Sequence, residues 1–88
     1  VPKYKVTFTE KSLDDLNDLS DAEFKRIHKA CRRLKDNPVP DGKHIKKLSG
    51  YKDLYRLRTG DYRVVFEWKK DTVTVIRVLI KPAFEKRY

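Results

Sequence analysis

Cysteine, glycine and long apolar runs are the scarce features of this chain, and each shortage excludes a class of function. The single cysteine, Cys31, has no partner for an intramolecular disulfide and cannot build a cysteine-rich zinc site. Three glycines, none in a cluster, make no glycine-rich phosphate loop. No apolar stretch approaches the ~18 residues that span a bilayer. The opening Val-Pro-Lys-Tyr-Lys holds no apolar signal core, so a cytoplasmic protein without a membrane partner is the expectation. His28 and His44 stand apart, without nearby carboxylate spacing, and make no metal site. No Ser-His-Asp arrangement and no paired acids of a hydrolase cleft occur.

What is present is charge. In 88 residues, 40% are charged and the net charge is +9. Residues 1–40 hold nine Lys/Arg against seven Asp/Glu, whereas residues 41–88 hold thirteen against six. Nearly all the excess therefore sits in the second half. That asymmetry favours nucleic acid or an acidic protein over a neutral metabolite. The length sets one small domain with a single modest core.

The stretch 47–81 reads as three strands. Leu54–Thr59 and Asp61–Trp68 meet at Thr59-Gly60-Asp61, where glycine suits a tight hairpin. Thr72–Ile80 follows a polar turn and is rich in β-branched residues. Connections this short predict an antiparallel meander. Strand alternation groups Leu54, Arg56 and Arg58 on one face, then Arg63, Val65 and Glu67, then Val73, Val75, Arg77, Leu79 and Lys81. The other face holds Tyr55 and Leu57, Tyr62, Val64 and Phe66, and Thr74, Ile76, Val78 and Ile80. One packed face and one cationic face follow.

Ahead of the meander, Tyr4–Thr9 alternates as a half-buried strand. Glu10–Leu19 suits a short helix anchored by Leu13 and Leu16, with Asp14, Asp15 and Asp18 in water. Ser20-Asp21-Ala22-Glu23 is a capping box that opens a second helix. Its apolar stripe is Phe24, Ile27, Cys31 and Leu34, which ends at Asn37-Pro38. The fold class is therefore α+β, in the order β-α-α-β-β-β. A two-helix hairpin covers one face of a four-stranded sheet. The tail Pro82–Tyr88 either frays or folds back onto the open face.

Any one of Arg56, Arg58, Arg63, Arg77 and Lys81 could be a solvated surface charge. Five on one face of adjacent strands cost stability unless an anion binds there, and arginine matches phosphate oxygens bidentately. Lys46 and Lys47, in the basic loop that also carries His44, extend the same candidate phosphate surface. The cations along the second helix read as its solvated side. Cys31 lies on the buried stripe, which argues against a nucleophile.

The run LSGYKDLYRLRTGDYRVVFE at Leu48–Glu67, followed by a strand ending VIRVLIK, resembles the RelE-type toxins of toxin–antitoxin modules, in the RelE/ParE superfamily. The resemblance covers almost the whole chain. It implies an mRNA endonuclease that enters the ribosomal A site and inhibits translation without metal or nucleotide cofactor. The attack is by the ribose 2′-OH on the neighbouring phosphate. By position, Arg56 and Arg58 match the family's basic pair on the first meander strand, and Arg63 matches a phosphate clamp. Lys81 falls on the leaving-group side, and Tyr88 matches the tail tyrosine that stacks on a base. Relatives have lysines where this chain has Arg56 and Arg58, and one of those is the proposed base. Arginine does not lose a proton readily, so Lys81, with His44 as second choice, is expected to carry protons. Arginine neighbours are expected to lower the Lys81 pKa. The family further implies a RelB-like antitoxin, contact with ribosome and mRNA, and operator DNA only through the antitoxin complex. Two other functions fit the same resemblance: a ParE-like inhibitor of gyrase, and a weakened member that binds nucleic acid or antitoxin alone.

Overall fold

The computed structural model describes residues 3–88. Its elements are β1 (Lys5–Phe8), α1 (Glu10–Asn17), α2 (Asp21–Arg33), β2 (Ile45–Lys47), β3 (Leu54–Thr59), β4 (Tyr62–Lys69), β5 (Thr72–Ile80) and α3 (Lys81–Arg87). One mixed sheet runs in the order β1-β5-β4-β3-β2. Among the described residues only the β1–β5 pair is parallel. The sheet thus has five strands, one more than the sequence pattern suggests. Ile45–Lys47 is too short to show a period, and its pairing with β3 defines it as a strand. The tail is ordered as helix α3, with Pro82 in its first turn, where the missing N–H costs nothing.

The helix starts follow from local chemistry. Thr9 Oγ1 accepts the Ser12 N–H at 3.2 Å, and Ser20 and Glu23 exchange both hydrogen bonds of a capping box. Asn37 Oδ1 accepts the Val39 N–H at 3.0 Å, which turns the chain after α2. Gly60, at φ +58°, makes the β3–β4 turn in the left-handed region.

The core lies between the helices and one sheet face. Ile27, Cys31 and Leu34 from the α2 side and Leu16 from α1 meet Ile45, Leu57, Val64, Phe66, Val73, Val75 and Val78. Tyr55 stacks on Phe66 at 5.5 Å and 16°. Two stripe positions do not join it fully: Phe24 remains 38% exposed and Leu13 46%. On α1 it is Ser12, fully buried, that faces inward with Leu16, its Oγ donating to the Thr9 carbonyl at 2.8 Å. A satisfied hydroxyl fits under the sheet edge more cheaply than its polarity suggests.

The strict alternation of β5 breaks in the middle. Val65 pairs with Arg77 but its neighbour Phe66 pairs with Val75, so Ile76 is an extra residue, a β-bulge. The bulge resets the face of everything before it. Val73 and Val75 therefore lie in the core with Val78, while Arg77 and Leu79 stay on the opposite face. Grouping all five odd positions from Val73 to Lys81 is thus corrected. Among the described residues no helix is long and apolar enough to cross a membrane.

Phe66→Ala should lose about 3–5 kcal/mol of unfolding free energy in a urea titration, whereas Leu13→Ser should stay within about 0.5 kcal/mol of wild type.

Candidate nucleic-acid interface

The face turned away from α1 and α2 carries the cations. Register sets them in rows across the strands: Lys46, Arg56, Val65 and Arg77 in one, and Arg58, Arg63 and Leu79 in the next. Lys47 pairs with Tyr55 and so lies on the helix side, away from the other candidates. Lys46, by contrast, stands directly beside Arg56.

Arg58 and Arg63 are cross-strand partners, an unfavourable placement of like charges. Arg58 is exposed, but Arg63 is buried, at 8% exposure. Arg63 Nη1 donates to the carbonyls of Gly60 at 3.1 Å and Tyr62 at 3.0 Å, so the hairpin turn holds one edge of the guanidinium. Its Nε and Nη2 have no protein partner among the described residues. Among the described residues no buried side-chain nitrogen is left unsatisfied, so these donors touch solvent, narrowly in a residue 8% exposed. The Nε–Nη2 edge of a guanidinium has the geometry that matches two oxygens of a phosphate. Arg56 Nη1 donates to the His44 carbonyl at 3.1 Å. The Arg56 pKa is lowered, first by burial and then by the charges of Arg63 and Arg58, with Asp41 acting against them. The three arginines feel one another.

Arg77 is placed differently. Its Nε and Nη2 donate to Asp15 at 2.8 and 3.1 Å, and Asp15 also accepts the Val78 N–H at 2.9 Å. Both side chains are 15% exposed. β1 pairs with β5 only as far as Val75, so the bulged end of β5 has a bare edge, and Asp15 of α1 covers it. The hydrogen bonds to Asp15 are the main cause that raises the Arg77 pKa. Arg77 is thus occupied by a structural pair, and Asp15 does not face water as its helical position suggests.

Lys81, on the first turn of α3, is 59% exposed and lies 3.8 Å from Glu85. Its partner is a carboxylate one turn along, not the arginines. Tyr88 folds back: its ring is 5.5 Å from both Phe84 and Tyr51. α3 packs on β4 and β5, which keeps the tail tyrosine against the sheet. Cys31 is buried, and burial pushes its thiol up to about 12, so it is no nucleophile.

Asp41 is the contact that sequence reasoning missed. Its Oδ1 accepts the N–H groups of Lys43, His44 and Ile45 at 2.9, 2.7 and 3.0 Å, and its Oδ2 accepts Arg33 Nη2 at 3.0 Å. Those donors, the Ile45 N–H first, hold its carboxyl well below the usual carboxylate range. The available signal was Asp-Gly ahead of a basic strand, since such an Asp binds the backbone that follows. Tyr51 gave no sequence signal. Among the described residues no three His, Cys, Asp or Glu side chains converge on a metal position.

A cationic sheet face with a packed reverse side invites comparison with known proteins. The family model described as the ParE toxin of the type II toxin–antitoxin system parDE matches residues 6–81. The chain belongs to the RelE/ParE superfamily of toxins. RelE1 of Methanocaldococcus jannaschii, named as a toxin, is 37% identical over 78 residues, covering 85% of this chain and 86% of its own length. Two solved structures share the RelE fold closely. RelE in the archaeal RelE-RelB complex from Pyrococcus horikoshii matches at 31% identity and a TM-score of 0.74, over 90% of this chain and 96% of that one. The RelB-RelE antitoxin-toxin complex from Methanococcus jannaschii matches at 28% identity and 0.75, over 93% and 98%. As a RelE/ParE member this chain is a toxin of a type II toxin–antitoxin system.

The two kinds of arginine should separate on mutation. Arg77→Ala should cost about 2 kcal/mol of stability, because it strands a hydrogen-bonded carboxylate. Arg58→Gln should raise stability by a few tenths of a kcal/mol, roughly the penalty of one like-charge pair. Paired urea titrations of the two variants check this.

Proposed function

We propose that this toxin is a ribosome-dependent mRNA endonuclease that cuts in the ribosomal A site and so stops translation. The observation that carries the proposal is the group Lys46, Arg56, Arg58 and Arg63 on one sheet face. Its members repel one another and have no anionic partner among the described ion pairs. A phosphate diester undergoing attack by its own 2′-OH gathers negative charge on its non-bridging oxygens. The free edge of Arg63, with Arg56 and Arg58, is suited to stabilise that charge. Lys46 tracks the neighbouring backbone phosphate. Tyr88, held at the end of α3, offers a ring for a base to stack on, a contact tolerant of sequence. Lys81 is an exposed ammonium that can donate a proton to the leaving 5′-oxygen. Arg77 belongs to the scaffold.

The partners follow from the same surface. Three relatives of known structure were solved in RelB–RelE complexes, and a RelB-like antitoxin with acidic segments would mask these cations here. Operator DNA would be met only through that complex. The ParE family match supports a second function, inhibition of gyrase by contact alone. It would not require arginines clustered on an open face.

Primer extension on a translated mRNA, with and without ribosomes, tests the proposal. Wild type should give cuts only when ribosomes are present. Arg63→Ala and Arg58→Gln should each lower the rate by about 10²–10³, the usual loss for one stabilising donor. Intact mRNA together with blocked DNA supercoiling by purified gyrase would reject it for the contact inhibitor.

A further inference from the structure

The cationic face lacks one group that 2′-OH attack requires, an acceptor for the hydroxyl proton near neutral pH. Arginine cannot be that acceptor. Resting on the nuclease function proposed above, we infer that His44, oriented by Asp41, accepts the 2′-OH proton.

The geometry begins with the backbone. The Arg58 N–H donates to the His44 carbonyl at 2.7 Å, which carries the β2–β3 ladder one residue beyond Ile45. His44 therefore stands opposite Arg58 and two residues before Lys46, at the edge of the cationic face. Arg56 grips the same carbonyl through Nη1. His44 thus shares its main chain with both arginines that face the phosphate.

The side chain is then aimed. His44 Nδ1 lies 3.7 Å from Asp41 Oδ2. Asp41 cannot swing away, because three backbone N–H groups and Arg33 hold it. With Nδ1 on the carboxylate side, the proton settles on Nδ1 and Nε2 is the free acceptor. The separation is loose for a hydrogen bond, as base–orienter contacts commonly are before substrate binds. The imidazole is 46% exposed, so a ribose can reach it. The charges around it are Asp41, Arg33 through Asp41, Lys43 and Lys46 on its own segment, and Arg56 and Arg58 on the adjacent strand.

The step balances simply. Nε2 takes the 2′-OH proton as the 2′-oxygen bonds to phosphorus. The P–O5′ bond breaks and O5′ takes a proton from the Lys81 ammonium, leaving a 2′,3′-cyclic phosphate and a 5′-hydroxyl. Exchange with solvent then takes the proton from His44 and returns one to the Lys81 amine, so no net proton is consumed. His44 is the catalytic residue of this step, and Asp41 is a positioning residue.

The test is the rate of ribosome-dependent cutting between about pH 5 and 8 for wild type, His44→Ala, His44→Gln and Asp41→Asn. Wild-type rate should fall on the acid side as His44 becomes protonated. His44→Ala should lose about 10²–10⁴ in rate and lose that acid limb, and added imidazole should restore part of the activity. His44→Gln should behave as His44→Ala without the rescue. Asp41→Asn should lower the rate while RNA binding stays unchanged and circular dichroism shows the native fold. If both His44 variants cut within about threefold of wild type with the acid limb intact, the dyad is wrong and the nuclease function stands. A lost rate that imidazole does not restore, with an unchanged pH profile, would make His44 structural and also overturn the dyad. If wild type itself cuts nothing, the nuclease function falls and the dyad falls with it.

Discussion

Repulsion among arginines on one sheet face is the constraint on which the rest of this small fold turns. Arg58 faces Arg63 across a strand pair, and Arg56 feels both. A chain of this size has a modest core and little stability to spare. It tolerates the crowding because the opposite face is closed by α1 and α2 over Leu57, Val64, Phe66, Val73, Val75 and Val78. Two of these arginines are also tethered in a way that holds their position without neutralising them. Turn carbonyls take Arg63, and the His44 carbonyl takes Arg56. Carbonyl oxygens fix a guanidinium in place yet leave its full charge for an anion.

The two edges of the sheet handle charge in contrasting ways. At the β5 edge, Asp15 takes both Arg77 and the Val78 N–H that β1 leaves unpaired, so one carboxylate closes a bare strand and cancels a cation. At the β2 edge, Asp41 gathers backbone donors and Arg33 and keeps its ionised carboxylate beside His44. The first device belongs to the scaffold. The second leaves an imidazole next to the arginines, which is why this edge carries the inferred chemistry.

Much of this was legible in the sequence, and the gaps have physical causes. Strand composition located β3 to β5 within a residue, because β-branched and aromatic runs are bounded by turns at Gly60 and Lys70. The capping box at Ser20 located the start of α2. β2 was missed because three residues carry no period, and the Ile76 bulge because one extra residue leaves no compositional mark. That bulge moved Val73 and Val75 into the core. The clustering of Arg56, Arg58 and Arg63 was readable by alternation alone. The pairing that removes Arg77 from the surface joins positions 62 residues apart, which no local pattern reports. Lys47 was grouped with Lys46 although adjacent strand residues face opposite sides.

If these arginines stay crowded because an anion belongs among them, an anion must stabilise the folded protein. The direct measurement is the thermal midpoint of the protein at fixed ionic strength, with and without a short single-stranded RNA. Binding to the folded state alone must raise the midpoint by mass action. The wild-type midpoint should rise by an amount that grows with RNA concentration and shrinks sharply in a variant carrying Arg56→Gln and Arg58→Gln. An equal rise in wild type and variant, or no rise in wild type, would contradict it.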